Sequence, residues 1–227
     1  MQDPVFVQDA FAKIARRYVL TNHVLSLGTD VLWRRKVAGM VRDVKPQRLL
    51  DLATGSGDLA AEIAKKCPGL AITGADFSAP MLEVARQRNV PGLELIQADA
   101  MHLPMADGVF DAVTVAFGLR NMASWPDAVR EMARVTRPGG ALFILDFSLP
   151  RLRLLRGPYR FYLHKVMPRV AGWITGQRDA YAYLAGSIEK FPSGASMCDL
   201  LTTNGWTTAR AVPVSLGIAT IYVAERS

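Results

Sequence analysis

The run LLDLATGSGDLA, residues 49–60, carries the clearest chemical signal in the chain. An apolar stretch leads into Asp51, a glycine-bearing turn follows, and helix-forming residues begin beyond it. Gly55 and Gly57 permit a tight turn and let a ligand come close to the backbone. The first turn of the next helix offers N–H groups with no partner inside the helix. Asp76 closes the next apolar run, and Asp99 follows the third. Acids at three successive strand ends beside such a loop describe a nucleoside-cofactor pocket better than a packing arrangement. An enzyme is expected.

Two cofactor classes suit this layout. Gly55-x-Gly57-x-x-Ala60 fits the dinucleotide fingerprint, with Asp76 near the distance expected of an acid that grips a ribose. S-adenosylmethionine needs the same grip but brings no pyrophosphate. Asp51 and Asp58 favour it, because carboxylates beside the loop repel a pyrophosphate yet can hold an ammonium or a sulfonium-bearing ligand. Asp99 is placed to orient an adenine through its amino group. A fourth strand ends at FGLRN, residues 117–121, on the same sheet edge. That puts Arg120 and Asn121 where open α/β sheets bind ligands. Arg120 could stabilise a developing phenolate, and Asn121 could position a hydroxyl or a water; the plainer readings are an exposed arginine and a turn cap. Asp111 is expected to fix a strand start. His164, His102 and His23 have no companions at ligand spacing, so no metal is expected. No G-x-S-x-G element or Walker lysine is present.

The elements that must position these residues are legible from periodicity. RLLDLA, GLAITGAD, GLELIQA, FDAVTVAF and GALFILDF are strand candidates, separated by helix candidates at about 58–66, 78–88 and 125–136. Ser78 is available to cap the second helix, and Arg137-Pro138-Gly139-Gly140 ends the third. Strands apolar on both faces with helices between them indicate a parallel sheet covered on both sides. Helices near 181–188 and 195–203 and two strands, WTTARAV and GIATIYVAE, complete the chain. Residues 1–45 read as an N-terminal helical cap, with Phe11, Ile14, Ala15 and Tyr18 on one helix and Val31, Leu32, Val37, Met40 and Val41 on another. Thr29 or Asp30 is available to cap the second of these.

A length of 227 residues suits one domain, and a 50% hydrophobic content excludes a disordered chain. No apolar run reaches a spanning length, and the opening residues do not read as a signal peptide. Cys67 and Cys198 are expected to be buried thiols, which fits a reducing cytoplasm. The net charge of +7 is uneven. Residues 147–178 carry seven basic side chains and no acid, interleaved with Leu152, Leu154, Leu155, Tyr159, Phe161, Val166 and Trp173. Such a segment suits an anionic membrane surface or RNA, or is a plain solvated face beside a lid. Its apolar content favours lipid or an apolar substrate over nucleic acid. Residues 147–190 read as an insertion or lid on the α/β core.

LLDLATGSGDLA, GADFS, LIQADAMHLPMADGVFDAVTVAFGLRN and RVTRPGGALFILDFS together resemble the ubiquinone/menaquinone biosynthesis C-methyltransferases. AFAKIARRYVLTNHVLSLGTDVLWRR, YLHKVMPRV and YAYLAGSIEKFP extend the resemblance over most of residues 11–192. It implies a Rossmann-like class I methyltransferase fold, with a mostly parallel seven-stranded sheet covered by helices. The implied activity is S-adenosylmethionine-dependent C-methylation of a reduced polyprenyl quinone precursor, such as demethylmenaquinol or demethoxyubiquinol. Carried over by position, Asp51, Gly55, Ser56, Gly57, Asp76, Phe77, Asp99, the Ala100 amide and Ala116 would face the cofactor. Tyr18, Arg120, Asn121 and Tyr183 would face the ring, with His164 as a candidate base. An apolar aromatic or quinone partner, peripheral contact with the inner face of the cytoplasmic membrane and no stable nucleic-acid partner are expected; oligomerisation stays open. Several positions depart from the pattern: Val19 replaces an aspartate, Ala116 stands where a serine is usual, Asp146 takes a glutamate position, and the last forty residues match poorly. These departures keep open a methyltransferase acting on another aromatic ring, or a basic RNA- or membrane-binding module.

Overall fold

Strand β1 (Arg48–Leu52) shows why the sheet is covered on both faces. Its alternate side chains enter two separate cores, Leu50 and Leu52 one and Leu49 the other. In the computed structural model, residues 26, 28–150, 152–175 and 185–227 are described. Tyr18, Tyr183 and the helix expected around residues 11–18 lie outside them. The remaining strands are β2 (Ala71–Asp76), β3 (Leu93–Gln97), β4 (Phe110–Ala116), β5 (Thr136–Phe147), β6 (Trp206–Val214) and β7 (Ala219–Arg226). They form one sheet in the order β3-β2-β1-β4-β5-β7-β6. Every neighbouring pair is parallel except those involving β7, which runs antiparallel between β5 and β6.

The helices are α1 (Thr29–Val44), α2 (Asp58–Lys66), α3 (Ala79–Arg86), α4 (Trp125–Val135), α5 (Arg153–Phe161), α6 (Met167–Thr175) and α7 (Ala195–Thr202). Residues at helical spacing decide which face each one covers. Ala128, Val129 and Met132 of α4 join Leu50, Val113 and Val115 on one face. Val37 and Val41 of α1, with Leu59 and Ile63 of α2, join Leu49, Ile72 and Leu145 on the other.

The structure revises several local expectations. Neither Thr29 nor Asp30 caps α1: Gly28 is the N-cap, with φ 74°, and Asp30 is buried against Arg34 one turn on. Ser78 does occupy the N-cap of α3, but its hydroxyl makes no capping bond. The Arg137-Pro138-Gly139-Gly140 breaker belongs to the start of β5, because α4 has already ended at Val135. Cys67 and Cys198 are free and only partly buried. The basic segment is helical: α5 runs through a wide turn at Tyr162–Val166 into α6. Its Leu163 and Met167 pack against Ala185 and Ile188 in a small satellite core. Leu152, Leu154, Phe161 and Val170 stay exposed. Among the described residues, no helix is long and apolar enough to cross a membrane.

Candidate cofactor and catalytic site

The strand order reverses at β1, whose neighbours are β2 and β4. After β1 the chain turns to α2 on one face, and after β4 to α4 on the other. The crevice between these two exits is the general ligand position of open α/β sheets. A cavity of ≈ 270 Å³ lies there, lined by Asp51, Asp76 and Asp99 among others.

Two backbone features shape the crevice. Ala53 and Phe117, the residues just after β1 and β4, both have positive φ, 52° and 59°. Such conformations in non-glycine residues cost about 1–3 kcal/mol each and cluster at functional sites. Gly118 follows, and a Cβ there would stand 2.4 Å from the Ala53 Cβ. The two loops touch at a point only glycine can occupy.

The acids are held differently. Asp51 is fully buried, with Oδ2 accepting from Thr54 Oγ1 at 2.6 Å and Oδ1 from Thr114 Oγ1 at 2.7 Å. Burial pushes its carboxyl up to about 6, against the pull of the two threonine hydroxyls; the Asp76 charge raises it further and the Arg34 charge opposes. Asp76 accepts from the Gly55 N–H at 2.8 Å and the Ser78 N–H at 2.9 Å, so the glycine loop is tied to the end of β2. Burial raises its carboxyl too, opposed by those backbone donors. Asp99 Oδ1 accepts from the Met101 N–H at 2.9 Å, and His102 Nδ1 stands 3.5 Å from the other oxygen. Gly55, Ser56, Phe77, Ala100 and Ala116 also border the cavity. Asp58, read as a carboxylate open to ligand, is instead partnered by Ser56 Oγ at 2.5 Å and Arg88 at 2.7 Å. The burden of repelling a pyrophosphate therefore falls on Asp51.

The substrate-side candidates are not all brought together. Asn121 lines the cavity, its Nδ2 donating to the Phe117 carbonyl at 3.4 Å. Arg120 is not in the lining; it is 2% exposed and paired with Asp146, Nη1 to Oδ1, at 2.6 Å. Its Cζ lies 5.4 Å from the centre of the Phe147 ring. His164 is also outside the lining and stands 3.2 Å from Glu189 on the surface, an acidic companion that sequence spacing did not disclose. Arg34, Thr54 and Met81 border the cavity unanticipated. For Arg34 a signal existed: Asp30 and Arg34 are four apart on one helix, the spacing of a facing ion pair.

The model of the ubiE/COQ5 methyltransferase family matches residues 2–226. The chain belongs to that family. It is 42% identical over 219 residues to a Thermus thermophilus protein named demethylmenaquinone methyltransferase, covering 95% of this chain and 99% of that one. A Deinococcus radiodurans protein of the same name is 40% identical over 223 residues, covering 97% and 92%. Among solved structures, a Thermotoga maritima S-adenosylmethionine-dependent methyltransferase, described as a possible histamine N-methyltransferase, superposes with TM-score 0.70. It is 17% identical and covers 97% of this chain and 100% of that one, a likeness of fold alone. Human N-acetylserotonin methyltransferase with bound S-adenosylmethionine gives TM-score 0.63 at 16% identity, covering 92% and 55%.

The methyltransferase fold is thus Rossmann-like, and the enzyme uses S-adenosylmethionine. The residues present fit that cofactor. The switch-point cavity offers carboxylates for hydroxyl and ammonium donors and apolar wall from Phe77, Met81 and Met101. The Ser78 hydroxyl in its wall is buried without a hydrogen-bond partner among the described residues.

Proposed function

We propose that this methyltransferase places a methyl group on a ring carbon of demethylmenaquinol. The observation that carries this reading is the near full-length, two-way match to the Thermus thermophilus demethylmenaquinone methyltransferase. The precursor of demethoxyubiquinol that still lacks the ring methyl, in the ubiquinone branch, is the competing substrate within the same family.

When bound, S-adenosylmethionine supplies an electrophilic methyl group. The chain then has three tasks: to hold the cofactor, to align the ring, and to favour the ionised form of a ring hydroxyl so that the neighbouring carbon is nucleophilic. In this reading Asp76 binds the ribose hydroxyls, and Asp99 with the Ala100 N–H contacts the adenine beside Phe77. Gly55 and Ser56 bring backbone close to the ligand, while Gly57, expected there too, lies outside the cavity lining and is the N-cap of α2; Asp51 faces the ammonium, and Ala116 leaves room along the cavity wall. Asn121 is the ring-facing residue of the wall. Arg120 acts from behind it, its positive charge held by Asp146 and favouring a phenolate. His164, paired with Glu189 on the surface, is a weak base candidate. Tyr18 and Tyr183 complete the proposed ring site.

The exposed apolar side chains of α5 and the turn after it are proposed to meet the membrane that holds the substrate's tail, from the cytoplasmic side. Leu154 is 91% exposed and Phe161 64%, with Arg156 and Lys165 exposed on the same segment. Burying a large apolar side chain contributes about 1.5–3 kcal/mol, and a basic residue near an anionic surface about 1. Replacing Leu154 and Phe161 together by aspartate is therefore expected to weaken sedimentation with phosphatidylglycerol vesicles by about a hundredfold. Unchanged sedimentation would place the contact elsewhere.

The function itself is tested by supplying methyl-labelled S-adenosylmethionine with demethylmenaquinol or the ring-methyl-free precursor of demethoxyubiquinol in lipid vesicles. Label is expected in the menaquinol product in preference to the other. Preference for the ubiquinone-branch precursor would move the chain to that branch. No transfer to either, with cofactor binding intact, would point to another aromatic ring.

A further inference from the structure

The cavity has an electrical polarity that identifies which end of the cofactor lies where. Because the strands run β3-β2-β1-β4, Asp99 and Asp76 mark one end of the crevice. Phe117, at the exit of β4, marks the other. Arg34 belongs to that second end, its Cζ 5.5 Å from the centre of the Phe117 ring. Among the described residues that line the cavity, Arg34 has the one basic side chain, set against the carboxylates of Asp51, Asp58, Asp76 and Asp99.

Arg34 is built in rather than draped across the surface. Its side chain is 9% exposed, and Nη1 donates to Asp30 Oδ2. Asp30 is itself steadied by Ser26 Oγ, which donates to Oδ1 at 2.7 Å. One nitrogen of the guanidinium is thus committed to Asp30, and its other N–H groups have no hydrogen-bond partner among the described residues. A guanidinium has five donors in a rigid fork matched to a carboxylate. A buried fork with unused donors at a cavity wall is the complement of an anionic ligand group. Asp51, close enough for the Arg34 charge to act on it, provides the adjacent anionic contact.

We infer that Arg34 binds the carboxylate of the cofactor's methionine moiety, with Asp30 as the residue that orients it. An amino acid presents an ammonium and a carboxylate on one carbon. The Asp51 and Arg34 pair at the β1–β4 end matches those two charges, while Asp76 and Asp99 serve the nucleoside. This assignment rests on the S-adenosylmethionine reading and extends it to a residue outside the glycine loop.

The test compares three adenosine compounds by calorimetry: S-adenosylhomocysteine, S-adenosylmethionine lacking its carboxylate, and 5′-methylthioadenosine, which lacks the whole amino-acid part. Hydrogen bonds to charged groups contribute enough that Arg34→Met is expected to weaken S-adenosylhomocysteine binding about 10- to 100-fold. Methylthioadenosine and the decarboxylated cofactor should bind Arg34→Met as they bind the native chain, and Arg34→Lys should recover part of the loss. Asp30→Asn should weaken S-adenosylhomocysteine by a smaller factor. Equal losses for all three compounds would make Arg34 a prop of the pocket and overturn the assignment, as would no loss for any. The native chain gives a check that needs no variant to fold: it should bind S-adenosylmethionine more tightly than the decarboxylated form, and equal affinities overturn the inference. Failure of the native chain to bind methylthioadenosine and S-adenosylhomocysteine alike would overturn the cofactor reading and this assignment with it.

Discussion

Asp146→Ala lowers the stability of the folded chain by about 3–5 kcal/mol, the usual consequence of removing one partner from a buried ion pair. Asp146 is fully buried and its partner Arg120 is 2% exposed, with 2.6 Å between Nη1 and Oδ1. Asp146 sits on β5 at the heart of the sheet, paired in register with Thr220 of β7. Without the carboxylate, the guanidinium keeps its charge in a site where water cannot reach it, and the Phe147 ring beside it offsets a part of the lost ion pair. Urea titration should show a lower midpoint with an unchanged slope. A double replacement, Arg120→Met with Asp146→Leu, should recover most of the lost stability because no charge remains to be desolvated. The same double variant should be inactive in methyl transfer while binding cofactor normally, because Arg120 is proposed to act on the ring and not on the nucleoside. A loss below about 1 kcal/mol for Asp146→Ala would mean that water reaches the pair and that its geometry contributes little.

The second large effect concerns Asp51, and its sign differs between stability and binding. Its carboxyl in the folded protein is pushed up to about 6 by burial, from an ordinary 3.8. The folded state therefore holds the proton more tightly than the unfolded chain does. That contribution to stability is fully present below the unfolded value and is lost as pH rises through 6. Above pH 6 the ionised group costs the cofactor-free protein about 3 kcal/mol. Asp51→Asn keeps a side chain of the same shape between the Thr54 and Thr114 hydroxyls and removes the charge. It should raise the stability of the cofactor-free protein at pH 8 and leave it nearly unchanged at pH 4.

Binding runs the other way. The ammonium of the cofactor needs the ionised carboxylate, so affinity should fall about tenfold for each pH unit below 6. Asp51→Asn should weaken cofactor binding by about 100-fold and flatten this dependence, the cost of losing a buried charged partner. Calorimetry between pH 5 and 8 checks both statements. Affinity in the native chain that does not change over this range, or a destabilised Asp51→Asn at pH 8, would contradict the role given to Asp51.

Local periodicity carried most of the fold and the part of the site tied to strand ends. The helix read at 58–66 is α2 as observed, and the strand candidates hold Asp51 and Asp76 at or near their carboxyl ends. These features depend on near neighbours in sequence, which is why they are legible. The features that were not legible depend on distant partners. Arg120 finds Asp146 across 26 residues, and Thr114 reaches Asp51 across 63. Asp58 finds Arg88 thirty residues on, which removes it from the set of open acids. Ser78 shows a different limit: its position at the head of α3 is readable, but whether its hydroxyl caps the helix depends on how the chain enters it. The Arg137-Pro138-Gly139-Gly140 run reads as a stop signal, and the helix does stop before it. What the residues do next, opening β5 beside an irregularity in its pairing with β4, is set by the neighbouring strand.

The most direct test of the account is the position of the transferred methyl group. Demethylmenaquinol in vesicles is incubated with the enzyme and S-adenosylmethionine carrying a carbon-13 methyl, and the extracted product is read by carbon NMR. The account predicts a single labelled methyl bonded to a ring carbon, in a product that still oxidises to a quinone because both ring oxygens are free. Label bonded to oxygen, giving a methyl ether that cannot form the quinone, would contradict it.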